Sequence, residues 1–176
     1  MKSNMEFAKD WMVEMFGEKP NVSKIRNLPT VHASVTNGKV ANGLYRISFI
    51  SDKRNIVVKI GRKPEGNAQC LEEEKLYKEA KEHRLGYYFS AYLGNFKLGH
   101  VQFHVYEKIP NVGSVYKLSQ FKKNFVFSDE ALEFVSCGAQ ERLGEFLYKK
   151  LVYPDLHRGN FGYKNGHIVI VDYAGC

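Results

Sequence analysis

Apolar positions at the start of the chain recur at helical spacing: Met5, Ala8, Met12, Met15 and Phe16. Ser3 followed by Glu6 forms a capping-box pattern at one end, and Gly17 supplies a stop at the other. A short amphipathic helix is expected here. Its methionine stripe suits either core packing or a docking face. From Val31 to Ile60 the pattern changes to β-branched and aromatic residues, ending in Ile56-Val57-Val58-Lys59-Ile60. Asn37-Gly38, Asn42-Gly43 and Ser51-Asp52 divide this stretch into strands. Residues 67–85 return to helical spacing, with Cys70, Leu71, Leu76, Tyr77 and Ala80 on an apolar face.

Tyr87 to Tyr106 reads as two or more strands, with turns at Gly94-Asn95 and Gly99, and Pro110 and Gly113 mark a connection. Residues 129–151 carry one long helical pattern, capped by Ser128 and interrupted at Gly138. The last element is a hairpin: Phe161-Gly162-Tyr163, the turn Asn165-Gly166, then Ile168 to Asp172. Helices and antiparallel strands are segregated along the chain, so the predicted class is α+β, not an alternating parallel α/β layout.

Composition adds constraints. A chain of 176 residues with 44% hydrophobic and 14% aromatic content can bury a core, in one domain or two small lobes. The formal charge of +7 favours anionic partners such as nucleotides or acidic protein surfaces. Cys70, Cys137 and Cys176 form no metal or disulfide pattern, which fits a reducing, cytoplasmic setting. No apolar run approaches the roughly 18 residues of a membrane span, and no membrane partner is expected. Tyr87, Tyr88, Phe89 and Tyr92 could stack on bases, but no recognised nucleic-acid motif accompanies them. Nucleic acid is therefore not the expected partner.

The chemistry concentrates in Tyr153-Pro-Asp-Leu-His-Arg-Gly-Asn160 and in Asp172. These residues place two carboxylates and an amide at the turns around one hairpin. Asn160 and Asp172 offer the hard oxygen ligands that magnesium requires. Asp155 is a carboxylate suited to accept a hydroxyl proton.

The pattern D-L-H-x-x-N followed by an apolar strand ending in D-Y resembles the catalytic loop and metal-binding aspartate of the protein-kinase-like superfamily. The histidine at 157 is similar to that of the aminoglycoside and choline phosphotransferase branch. Short kinase-like proteins of bacteriophages look similar in this stretch. The resemblance implies Asp155 as catalytic base, Asn160 and Asp172 as holders of magnesium (Mg2+), and His157 as a support for the loop. It also implies ATP as the nucleotide.

Earlier landmarks follow in the family's order. Lys59 in Val57-Val58-Lys59-Ile60 resembles the V-A-I-K strand, whose lysine pairs with nucleotide phosphates. In isolation such a lysine is a solvent-facing strand position. Glu72, Glu73 and Glu74 are candidates for its acidic helix partner. Glu73 shares a face with Cys70, Tyr77 and Ala80 and is the choice, with Glu74 next. The segment Gly38 to Gly43 stands where a glycine-rich phosphate loop would lie, although Val40 occupies the middle glycine position. Two hairpin turns are the alternative. Val105 to Pro110 resembles the hinge between kinase lobes, with the Glu107 carbonyl and Ile109 amide meeting adenine and Tyr106 behind them.

The expected architecture is a protein-kinase-like two-lobed fold. Residues 1–108 would form the opening helix plus an N-lobe, an antiparallel sheet with one main helix. Residues 109–176 would form a minimal C-lobe. The chain ends four residues after Asp172, without the family's activation segment and later helices. Tyr173-Ala174-Gly175 departs from D-F-G, and Tyr153 stands where the family often has histidine.

The expected function is a minimal ATP-dependent kinase acting on a protein or small-molecule hydroxyl. The alternative is a non-catalytic kinase-like protein that binds and regulates or inhibits a partner protein. A homodimer joined through the methionine helix is a further expectation.

Overall fold

In the computed structural model, residues 2–28, 33–110, 140–150, 160–165 and 167–173 are described. The chain divides into two compact units: Met1–Leu71 with Tyr92–Lys108, and Glu72–Ala91 with Ile109–Cys176. Lys108 ends the first unit and the second resumes at Ile109, with residues 72–91 also in the second.

The first unit opens with helix α1 (Asn4–Phe16). Its capping box is formed in both directions: the Glu6 amide donates to the Ser3 hydroxyl at 3.2 Å, and the Ser3 amide donates to the Glu6 carboxylate at 2.7 Å. Gly17, at φ +76°, ends it, and its amide donates to the Val13 carbonyl. Helix α2 (Val22–Arg26) follows, capped by the Asn21 side chain. No hydrophobic period announces so short a helix.

Six strands form one sheet: β1 (Ala33–Val35), β2 (Gly38–Asn42), β3 (Arg46–Ser51), β4 (Ile56–Gly61), β5 (Tyr92–Leu98) and β6 (Val101–Glu107). Their order is β1-β2-β3-β4-β6-β5, and every pairing is antiparallel. Asn37 takes φ +64° in the β1–β2 turn, a conformation its short polar side chain tolerates. Ser51 turns the chain after β3 by accepting the Lys53 and Arg54 amides on its hydroxyl, both at 3.1 Å.

Gly94 lies inside β5 and is not a turn. At φ +142° it sits where the pairing with β6 slips by one residue. A glycine inside a strand can mark such a bulge as readily as a strand end.

Alternation along β4 and β6 divides two faces. Ile56, Val58, Ile60, Phe103 and Val105 turn toward α1 and join one apolar core with Ala8, Trp11 and Met12. Lys59, His104 and Tyr106 occupy the other face. Trp11 meets Phe49 edge-on with ring centroids 6.5 Å apart, and its indole N–H donates to the Thr36 carbonyl at 2.6 Å. Burial of each such large apolar side chain contributes about 1.5–3 kcal/mol. Met12 is fully buried, and Met5 and Met15 pack against the same core. The methionine stripe therefore packs against its own sheet.

Helix α3 (Pro64–Glu82) begins earlier than its apolar period indicated. Proline at the first helical position lacks an N–H that would have no intrahelical partner anyway. A 3-10 turn follows at Gly86–Tyr88. In the second unit lie helix α4 (Gln140–Lys150) and the hairpin β7 (Phe161–Lys164) and β8 (His167–Ile170). The expected start of the long helix and its interruption at Gly138 lie outside the described residues. Leu76, Ala80, Leu143, Leu147, Phe161 and Ile170 share this unit's core. Among the described residues, no helix is long and apolar enough to cross a membrane.

Candidate functional site

Lys59 is set by its neighbours in the sheet. On central strand β4 it pairs with Ser48 of β3 and His104 of β6. It is only 7% exposed, so it is not the solvent-facing lysine that an isolated strand pattern would give. Burying an ammonium demands compensating interactions. One is the Tyr106 ring, whose centroid lies 4.5 Å from Nζ. Tyr106 is itself buried, packs edge-on against Tyr92, and donates its hydroxyl to the Cys70 carbonyl of α3 at 3.4 Å. Lys59, Tyr106 and the first half of α3 are thereby joined within the first unit.

The two glycines of the expected phosphate loop are not brought together. Residues Gly38–Asn42 are strand β2, so Gly38 and Gly43 stand at its opposite ends, about 16 Å apart by strand rise. Gly38 is buried. A Cβ there would collide with the Ile50 carbonyl oxygen and the Trp11 ring. Its missing side chain serves packing under α1. Gly43 alone remains in an exposed turn, its amide donating to the Arg46 carbonyl at 2.8 Å, beside the exposed Leu44.

Glu107 closes β6 opposite Ile56. Lys108 ties the connector to the sheet twice: its amide donates to the Asn55 carbonyl at 2.9 Å, and its ammonium to the Ser51 carbonyl at 2.9 Å. Ile109 belongs to the second unit and is buried.

Of the three consecutive acids on α3, Glu72 is exposed and Glu74 pairs with Lys78 at 2.7 Å. Glu73 is fully buried. Its carboxylate accepts the backbone amide of Tyr173 at 3.3 Å. Tyr173 is held at two further points. Its hydroxyl donates to the Ser90 carbonyl at 3.1 Å, and its ring meets Phe89 edge-on at 5.1 Å. Ser90 in turn donates its amide to the Ile170 carbonyl at 2.8 Å. Asp172, half-buried, is thus bracketed by Ile170 and Tyr173, both anchored.

Asn160 is buried at the open end of the β7–β8 hairpin. Its carbonyl accepts the Val171 amide at 2.9 Å, which extends the ladder beyond the Phe161–Ile170 pair and holds the backbone of residue 160 beside that of residue 171. One amide and one carboxylate oxygen donor therefore flank the same hairpin end. Amide and carboxylate oxygens are the kind of hard ligand that magnesium takes, one or two from the protein with phosphate and water completing its shell. Asp155 and His157 lie outside the described residues.

Two contributors went unrecognised in the sequence. Gly162 is one: a Cβ there would strike the Ile109 side chain and approach the Pro110 carbonyl, so the hairpin seats on the connector only with glycine. A glycine inside a strand was the available signal. Ser90 is the other. It acts through its backbone, and nothing in its residue type could announce that. No protein-family model matches the chain, and no curated protein sequence matches it.

Proposed function

We propose that this chain is a minimal protein-kinase-like phosphotransferase that moves the γ-phosphate of ATP to a hydroxyl of a protein or small molecule. The observation that carries this reading is the buried Glu73 carboxylate on the Tyr173 amide. It links the acid of the main helix to the residue after Asp172, on the hairpin that also holds Asn160. The antiparallel sheet followed by a main helix, and a unit boundary at Lys108 and Ile109, support the two-lobed form of that fold.

In this reading Lys59 contacts nucleotide phosphates, with Tyr106 beneath it limiting its freedom. Asn160 and Asp172 hold magnesium, and Asp155 orients the acceptor hydroxyl and takes its proton. Gly43 lies in the turn nearest the phosphates, and Glu107 and Ile109 offer backbone groups to adenine. Magnesium, when bound, supplies charge neutralisation at the phosphate oxygens. Most of the catalysis then comes from positioning, which is what the anchors on Tyr173 provide.

The test is transfer of labelled phosphate from magnesium–ATP, with autophosphorylation and generic acceptors, for the native chain against Asp155→Ala and Asp172→Ala. The expected result is a loss of about 100-fold or more in both variants, with unchanged thermal unfolding. Absence of both transfer and any magnesium–ATP thermal shift would sink the enzyme and leave a kinase-shaped protein that acts by binding a partner.

A further inference from the structure

The second unit holds a concavity of about 330 Å³ that the phosphoryl-transfer reading does not use. One wall is the turn that follows α3, where His83 and the buried Leu85 face the hollow. The other is α4. Phe146 supplies its floor: it is buried, meets Phe89 edge-on at 5.8 Å and lies 5.7 Å from the His83 ring. The floor is therefore apolar.

The rim is cationic. Among the described residues, Arg142, Lys149 and Lys150 border it beside Glu145, and Lys150 is turned to the Glu79 carboxylate at 2.9 Å, which leaves Arg142 and Lys149 as the cations open to a ligand. Arg142, Phe146 and Lys149 follow helical spacing and lie along one face, cation, aromatic, cation. Lys149 pairs with Glu145 at 3.5 Å, but both side chains are well exposed, and such a pair is easily exchanged for another carboxylate. Arg142 is exposed and makes no ion pair among the described residues.

Spacing decides the class of occupant. Seven residues of helix separate Arg142 from Lys149, about 10 Å along the axis. One small carboxylate cannot reach both ends. An extended peptide covers about 10 Å in three residues. We propose that this hollow is a docking site for an acidic peptide segment of a partner protein, with an aromatic or large aliphatic side chain on the Phe146 floor and carboxylates on Arg142 and Lys149. The site stands on its own geometry and is independent of whether the chain transfers phosphate.

The test is fluorescence polarisation with the whole chain and a labelled Gly-Asp-Glu-Phe-Glu-Asp-Gly peptide. Binding with a Kd on the order of 10–100 µM is expected. It should weaken about tenfold or more in the Arg142→Glu, Lys149→Glu double variant. Lys9→Glu with Lys24→Glu makes the same charge change at exposed positions of the first unit, and should leave binding within about twofold. Replacing the probe's Phe by Gly should also cost about tenfold. Failure to bind, equal binding of the Gly probe, or equal loss in the control double variant would overturn the proposal. So would full displacement by equimolar phenylacetate, which would make the hollow a small-molecule site instead.

Discussion

The Glu73 carboxylate and the Tyr173 amide, one hundred positions apart in the chain, meet at 3.3 Å inside a fully buried environment. A buried carboxylate without partners would cost several kcal/mol, and this contact is one that offsets the cost. It also fixes the backbone next to Asp172, so stability and the proposed chemistry share an atom.

Glu73→Ala is expected to leave the Tyr173 amide buried without this acceptor and to cost about 1–3 kcal/mol. Glu73→Gln keeps an acceptor oxygen and should cost less. Urea denaturation of the two variants measures the difference. If Ala and Gln are equally stable, the hydrogen bond is not what makes Glu73 matter.

Tyr173→Phe retains the ring on Phe89 and removes only the hydroxyl that donates to the Ser90 carbonyl. The expected loss is about 1 kcal/mol, read as a lower denaturation midpoint with an unchanged slope. If Asp172 is positioned through Tyr173, phosphate transfer should fall by more than the small stability loss explains. A variant with native transfer would detach this anchor from function.

Gly38→Ala should destabilise the chain by about 1–3 kcal/mol, because the added methyl strikes the Ile50 carbonyl and the Trp11 ring. Magnesium–ATP affinity of the folded fraction should stay unchanged. A specific loss of nucleotide affinity at native stability would return Gly38 to the phosphate loop.

Acid pH tests the first helix. The Ser3 amide, and then its side chain, hydrogen-bond the Glu6 carboxylate and hold its pKa below the ordinary 4.5. A depressed carboxylate contributes stability above its unfolded value, and the contribution fades as pH falls through the lower folded value. Glu6→Gln should therefore be less stable than the native chain at neutral pH, with the gap closing below pH 4.5. A gap of constant size across a pH series of thermal unfolding would refute the charge-dependent cap.

Much of the first unit was legible because its signals are local. The Ser3–Glu6 box, the Asn37 turn and the apolar alternation of β4 each need only a few neighbouring residues to act. Among the candidate residues, Glu73 could be singled out from Glu72 and Glu74 because helical spacing alone decides which of three consecutive acids faces inward.

The amino-acid sequence by itself determined the α+β class, most of the element positions and the identity of the polar candidates. Only tertiary structure decided their surroundings. Lys59 reads as solvent-facing until the second face of β4 is covered, Gly94 reads as a turn until β6 pairs across it, and Gly38 reads as a loop residue until Trp11 lies over it. Caps and turns are satisfied by atoms within three or four positions of the same chain. Burial, close approach and the meeting of Glu73 with Tyr173 depend on which distant segment arrives, and residue type along one segment carries no record of that.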